Sequence, residues 1–343
     1  MFSAFPTIAL FGVFAAAGAV VLMVSMRMTR LADMIADRAG WGEALVGGIL
    51  LGGATSLSGL VVSITSAWSG DASLAFSNGV GGIAAQTVFL AVADLAHRKA
   101  NLEHAAAEPA NMFQGVLLIA LLTMPLIAWA APPFTVLGVH SASVAMVGLY
   151  AYGAVVTREV RENPMWRAVE TQETRHDEPE DDEEENRSTR GPALAFAGLA
   201  AVLAVSGWVI AETASVFTER FDLSSALVGS LFTAVVTSLP ELVTTITAVR
   251  RGALQLAVGG IIGGNTFDTL FLAGSDVAYR DGSLFHAIDG QDFFWLATGL
   301  LMTTILLGGQ IRREKQGPAG IGVESAALLG VYALAVAVQA FAG

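Results

Sequence analysis

Two acidic side chains stand where a bilayer would make them expensive. Glu241 lies in Thr237-Ser238-Leu239-Pro240-Glu241, and Asp268 in Gly263-Gly264-Asn265-Thr266-Phe267-Asp268. Each falls near the middle of an apolar stretch. A carboxylate at that depth costs at least about 2.5–3.5 kcal/mol on insertion scales and marks a functional site by default. Pro240 has no N–H to give, so it disturbs its helix and frees carbonyl oxygens of the preceding turn. Hydroxyls, freed carbonyls, an amide and two carboxylates make an oxygen-rich site for a hard cation. If the two stretches run antiparallel side by side, Glu241 and Asp268 reach similar depth and can share one ion. Two carboxylates neutralise one divalent cation; without it they repel each other, and a proton on one relieves the repulsion. The pair could therefore exchange Ca2+ against protons or Na+.

The elements that must hold these groups are membrane helices. Of the 343 residues, 54% are hydrophobic and only 14% charged, with a mean hydropathy of +0.62. Soluble domains carry about 25% charged residues, and a bilayer core needs roughly 20 apolar residues per crossing. Ten spans are expected, near 5–27, 43–67, 72–96, 111–131, 134–157, 191–217, 223–249, 253–278, 291–310 and 319–341. The second, third, seventh and eighth are rich in Gly, Ser and Thr and belong in the interior of the bundle. Positive charge follows the first apolar run, at Arg27 and Arg30, and does not precede it. That suits a first membrane helix with its N-terminus outside better than a cleaved signal peptide. On this topology 16 of the 18 Lys and Arg residues fall inside, leaving Arg220 and Arg280 outside.

The net charge of −12 is concentrated in one place: eight of the nine residues Asp177–Glu185 are acidic. Residues 158–190 lack an apolar period and read as a disordered cytoplasmic linker between two groups of five spans, 1–157 and 191–343. The acidic run has neither the spaced ligands nor the glycine of an EF-hand loop. With no cysteine, disulfides and thiolate metal sites are excluded. The five histidines sit at span ends or in loops without metal-ligand spacing, and are expected to be solvated. No nucleotide-binding loop, nucleophile motif or HExxH is present, and nothing suggests a nucleic-acid partner. An enzyme, an ATP-driven pump and a resident cofactor are not expected. Inorganic cations and the lipid bilayer are the partners read; the oligomeric state is not legible.

The second half repeats the first. With a shift of 182 residues and no gaps, 21 of the 52 positions 44–95 are identical in 226–277. Thr55-Ser56-Leu57 falls on Thr237-Ser238-Leu239, Gly81-Gly82 on Gly263-Gly264, and Asp94 on Asp276. Asp94 and Asp276 lie near helix ends, where solvated or capping roles are expected. An odd number of spans per copy forces the two copies into opposite orientations. Inverted repeats with Gly-interrupted helices point to a secondary transporter whose site lies at the midplane, where the copies meet.

The stretches 237–252 (TSLPELVTTITAVRRG) and 263–270 (GGNTFDTL) resemble the second signature repeat of the calcium/cation antiporter superfamily, which includes the sodium/calcium exchangers. The resemblance implies an all-α, ten-helix exchanger fold of two inverted five-helix repeats around a central site; from the charge asymmetry both termini are expected outside, in the cell membrane. It implies Glu241 and Asp268 as acidic ligands, Thr237 and Ser238 as oxygen donors, and Asn265 beside them. Gly264 stands where the family has Ser. The first repeat departs further: Gly59 stands where the Glu would be, and Gln86 matches Asp268. Gln86, Thr55 and Ser56 remain candidates to line the site from that side. Ca2+ moved against Na+ or H+ is the first expectation. Monovalent Na+/H+ antiport, or a degenerate non-transporting relative that senses ions, is the alternative.

Overall fold

Long apolar runs with few breakers can satisfy their backbone in lipid only as helices. The computed structural model is helical accordingly. It describes residues 2–39, 43–96, 101–169, 171, 190–315, 317 and 321–342; side chains 33, 36–39, 43–54, 96 and 342 lie outside that description. So do residues 172–189, which carry the acidic run of the expected linker.

The long helices are α1 (Thr7–Ala39), α2 (Glu43–Trp68), α3 (Ala72–Ala96), α4 (Pro109–Ala130), α5 (Ser141–Glu162), α6 (Arg190–Phe221), α7 (Ser225–Thr237), α8 (Leu239–Arg251), α9 (Leu254–Ala278), α10 (Gly290–Arg312) and α11 (Val323–Ala342). Among the described residues seven are long and apolar enough to cross a membrane: α1, α3, α4, α6, α9, α10 and α11. The bent pair α7–α8 makes an eighth if it counts as one span. The remaining two, α2 and α5, are 26 and 22 residues long.

Several boundaries differ from the sequence expectation. The fifth span was expected at 134–157, but Thr135–Val136 and Val139–His140 form a two-residue hairpin and the helix runs Ser141–Glu162. Leu137 and Gly138 both have positive φ, 57° and 82°, as a tight primed turn requires. The helix thus continues into the segment read as linker. The seventh span is two helices at 45°.

Apolar burial divides the bundle. One cluster joins α3, α4, α9 and α10 around Phe76, Leu118, Ile261 and Trp295. A second joins α1 and α6 through Leu10, Phe14, Ile210 and Phe217, and reaches α7 at Val228. Phe11 stacks on Phe217 at 4.8 Å between ring centroids. The share of the span buried inside the protein is 94% for α3 and 61% for α9, against 28% for α1 and 22% for α6. The Gly-, Ser- and Thr-rich helices α3 and α9 are therefore interior, as their composition suggested.

Close crossing of α3 and α7 depends on paired glycines. A Cβ on Gly81 would overlap the Cα of Ser230, and one on Gly229 would overlap Ser77 Oγ and lie 2.9 Å from the Leu74 carbonyl. Asn78 completes this crossing. Its Nδ2 donates to the Gly59 carbonyl at 3.0 Å and to Ser63 Oγ at 2.9 Å, and its Oδ1 accepts from Thr233 Oγ1 at 2.7 Å.

Two buried aspartates tie the helix ends, where solvent exposure was also considered. Asp94 accepts from the N–H of Leu102 at 2.9 Å and of Gly322 at 3.0 Å. Asp276 accepts from the N–H of Leu284 at 3.0 Å and of His140 at 2.7 Å. Every residue of the second set lies 182 positions from its counterpart in the first. Two histidines correct the expectation of solvation: His104 and His140 are buried. His140 caps α5 by accepting from the Ala142 N–H at 3.1 Å, and the His104 ring contacts the Arg313 carbonyl oxygen at 2.7 Å.

Candidate cation site

The break between α7 and α8 carries the first half of the site. Residues Val228–Thr233 form a π-helical turn, a feature that concentrates at functional positions. Ser238 then leaves helical geometry at φ −94°, ψ 1°. Pro240 has no N–H for the Val236 carbonyl four residues back. Glu241 therefore sits in the first turn of α8, where the positive end of the helix dipole favours a carboxylate. It is 5% exposed, and Asp268, in mid-α9, is 2% exposed.

Gln86 on α3 connects the two helices. Its Nε2 donates to Asp268 Oδ2 at 2.6 Å and to Ser238 Oγ at 3.2 Å. Gln86 and Asp268 are themselves 182 residues apart. Ser56 on α2 donates to Glu241 Oε1 at 3.4 Å and lies within hydrogen-bonding reach of Asp268 as well. The Thr55 hydroxyl also bonds Glu241. Asn265, one turn before Asp268, donates through Nδ2 to Thr87 Oγ1 at 2.9 Å.

Six of the eight candidate residues thus interlock, Glu241, Asp268, Ser238, Gln86, Thr55 and Ser56, while Asn265 is held beside them by Thr87. Thr237 is different. Its Oγ1 bonds back to the Thr233 carbonyl at 2.9 Å, and the side chain faces Gly59 on α2. Among the described residues, no donor reaches four buried oxygens in this group: Glu241 Oε2, Asp268 Oδ1, Gln86 Oε1 and Asn265 Oδ1. An unpaired buried polar atom costs about 1–3 kcal/mol. Four together, all of them acceptors, make a cluster that a cation, or protons on the carboxylates, would satisfy.

Two contributors were not legible beforehand. Thr87 holds Asn265, and its only sequence signal is that it falls on Thr269 in the repeat. Phe271 occupies the place of the missing first-repeat carboxylate. A Cβ built on Gly59 would lie 2.8 Å from Phe271 Cε2. A ring in an apolar helix carries no signal of such a role.

A helical membrane bundle with a broken span, one buried acid at the break and a second, Asp268, on the neighbouring helix resembles the architecture of secondary transporters. The family model for sodium/calcium exchanger proteins matches residues 9–157 and 191–341. The chain belongs to that family. It is 31% identical over 132 residues to the inner membrane protein YrbG of Escherichia coli, a match covering 38% of this chain and 40% of the relative. The chain thus spans well under half of that relative's length. The crystal structure of the H+/Ca2+ exchanger CAX superposes with a TM-score of 0.68 at 13% identity, over 96% of this chain and 85% of the other. The sodium–calcium exchanger NCX_Mj superposes with a TM-score of 0.62 at 16% identity, over 97% and 99%. At those identities the likeness is one of fold.

Proposed function

We propose that the chain is a secondary active antiporter that carries Ca2+ in exchange for Na+ or H+, binding both at Glu241 and Asp268. The observation that carries this reading is the set of four donor-less oxygens on Glu241, Asp268, Gln86 and Asn265. Ser238, Thr55 and Ser56 complete the polar lining, and Thr237 contributes through the backbone of the broken helix. The topology that goes with this function is ten spans in two inverted five-helix repeats, 1–157 and 191–343. Both termini lie outside, in the plasma membrane, with 158–190 cytoplasmic. The hydrogen bonds of Asp94 and Asp276, repeated at a spacing of 182, support the duplication. So does the bond between the equivalent residues Gln86 and Asp268, as expected if the two copies meet there. Alternating access follows from rocking α1 and α6, which share their own apolar cluster, against the helices around the site.

Monovalent Na+/H+ antiport is the second reading, favoured by the Phe271 ring at Gly59 and the amide of Gln86. Both lower the charge of the site below that of four carboxylates. Reconstituted protein separates the readings: 45Ca2+ uptake driven by an outward Na+ or proton gradient is expected, and should fall at least a hundredfold in Glu241→Gln and in Asp268→Asn. Gradient-driven Na+ flux without any Ca2+ flux would favour the second reading. Unaltered fluxes in both variants would remove the site.

A further inference from the structure

The two aspartate ties at the helix ends are alike in backbone but not in side chain. Where Asp276 holds its tie, the surrounding positions are Phe285, Ala142 and His140. At the Asp94 tie, the positions 182 residues away are Glu103, Glu324 and Gly322. A ring and a methyl at one end are thus two carboxylates at the other. Both carboxylates are interior, Glu103 at 2% exposure and Glu324 at 7%.

Their outer oxygens face one small space. A Cβ on Gly322 would lie 3.3 Å from Glu103 Oε2, 3.3 Å from Glu324 Oε2 and 3.4 Å from the Asn101 amide carbon. Gly322 has no such atom, and its counterpart His140 does. Glu103 Oε2 is buried, and no hydrogen-bond donor among the described residues reaches it. Its Oε1 accepts from Ser325 at 3.3 Å. Arg312, itself well exposed, pairs with Glu314 at 3.2 Å and approaches Glu324 at Oε1, at 3.6 Å. Asp94 has both oxygens committed to backbone N–H groups and adds negative charge without adding a ligand. Burial, with Asp94 and Glu324 adding like charge, pushes the Glu103 carboxyl up to about 7.

We propose that Glu103 and Glu324, with the Asn101 amide oxygen, form a second, non-transport site for a divalent cation of the Ca2+ type, at the end of the bundle where α3 stops and α11 begins. Two carboxylates neutralise such an ion, and hard cations of this size take six to eight oxygens in flexible arrangements, water included. The site draws on three chain segments: the α3–α4 connection, the end of α10 through Gly309, and the start of α11. A Cβ on Gly309 would lie 2.5 Å from Glu324 Cγ and 3.2 Å from Glu103 Cγ, so α10 packs directly on the pair. An occupied site fastens these segments together and leaves Glu241 and Asp268 untouched.

Equilibrium binding of 45Ca2+ to the purified full chain carrying Glu241→Gln and Asp268→Asn tests this apart from transport. About one Ca2+ per chain should remain bound, and addition of Glu103→Gln with Glu324→Gln should abolish it. No binding in the transport-site variant overturns the proposal. So does binding that survives the added pair, as an acidic stretch such as 177–185 would give. Gel filtration and helical circular dichroism read whether each variant folds. If the quadruple variant does not fold, Asn101→Ala and Glu324→Gln, each in the transport-site background, should still weaken binding at least tenfold. Unchanged affinity in both would then overturn it.

Discussion

At Gly59 the loss of a side chain has been answered by another residue. The Phe271 ring lies 2.8 Å from where a Cβ would stand, and Phe271 is buried. Restoring the family's carboxylate there cannot simply restore a ligand. Gly59→Glu would drive a charged chain into an aromatic ring, and overpacking of this kind typically costs about 1–3 kcal/mol even without charge. The single variant should therefore unfold at lower temperature and transport less. Gly59→Glu combined with Phe271→Ala makes room, and should recover stability relative to Gly59→Glu and raise Ca2+ affinity above the wild type. Thermal unfolding and 45Ca2+ binding check both halves; a double variant no better than Gly59→Glu would mean that Phe271 does not fill that place. Much at this scale could be read from residue types. Glu241 and Asp268 stood out as acids in apolar runs, and the 182-residue shift pointed to Gln86, Thr55 and Ser56. The ring at Gly59 and the Asn265–Thr87 bond could not be read, because both are tertiary pairings between helices with no pattern along the chain.

The break between α7 and α8 is where element and chemistry meet. Ser238 leaves the helix, Pro240 cannot donate, and Glu241 takes the first turn of the next segment. The π-helical turn before it shifts the register of α7, so that Thr233 meets Asn78 at 2.7 Å. Pro240→Ala returns one donor and favours a continuous helix. We expect such a variant to fold at least as stably as the wild type and to lose most of its exchange rate, because Glu241 would rotate away from Ser56 and Thr55. Flux in proteoliposomes beside thermal unfolding checks this; full flux would show that the bend follows from packing and not from Pro240. The proline was legible as a disturbance, but the π turn and the 45° size of the bend were not, since neither leaves a pattern along the chain. Boundaries slipped for the same kind of reason. The fifth helix starts seven residues later than its apolar run, because Leu137-Gly138 closes a hairpin first. It ends five residues later, because nothing in Arg158–Glu162 breaks a helix, and Arg158 pairs with Glu162 at 2.6 Å one turn apart.

On the scale of the molecule, composition made membrane helices legible and Gly, Ser and Thr content identified the interior ones. The proposed movement of helices rests on packing, where the apolar cluster of α1 and α6, which also takes in Leu74 of α3 and Val228 of α7, is distinct from the larger one around α3, α4, α9 and α10. The alternating-access proposal needs α1 to slide along α7. The two helices meet at Gly18, whose Cβ, if present, would lie 3.9 Å from the Cβ of Val236. That separation falls within the range a disulfide spans, roughly 3.5–4.5 Å between Cβ atoms. The chain has no cysteine of its own, so Gly18→Cys with Val236→Cys introduces a single possible bridge. Oxidation should then arrest exchange by pinning α1 to the helix that leads into the site, and reduction should restore it, while each single variant responds to neither. Cation binding in the oxidised form should persist, since none of the carboxylates is disturbed. Exchange at an unchanged rate with the bridge fully formed would mean that α1 and α7 move as one body, and the moving boundary would have to lie elsewhere.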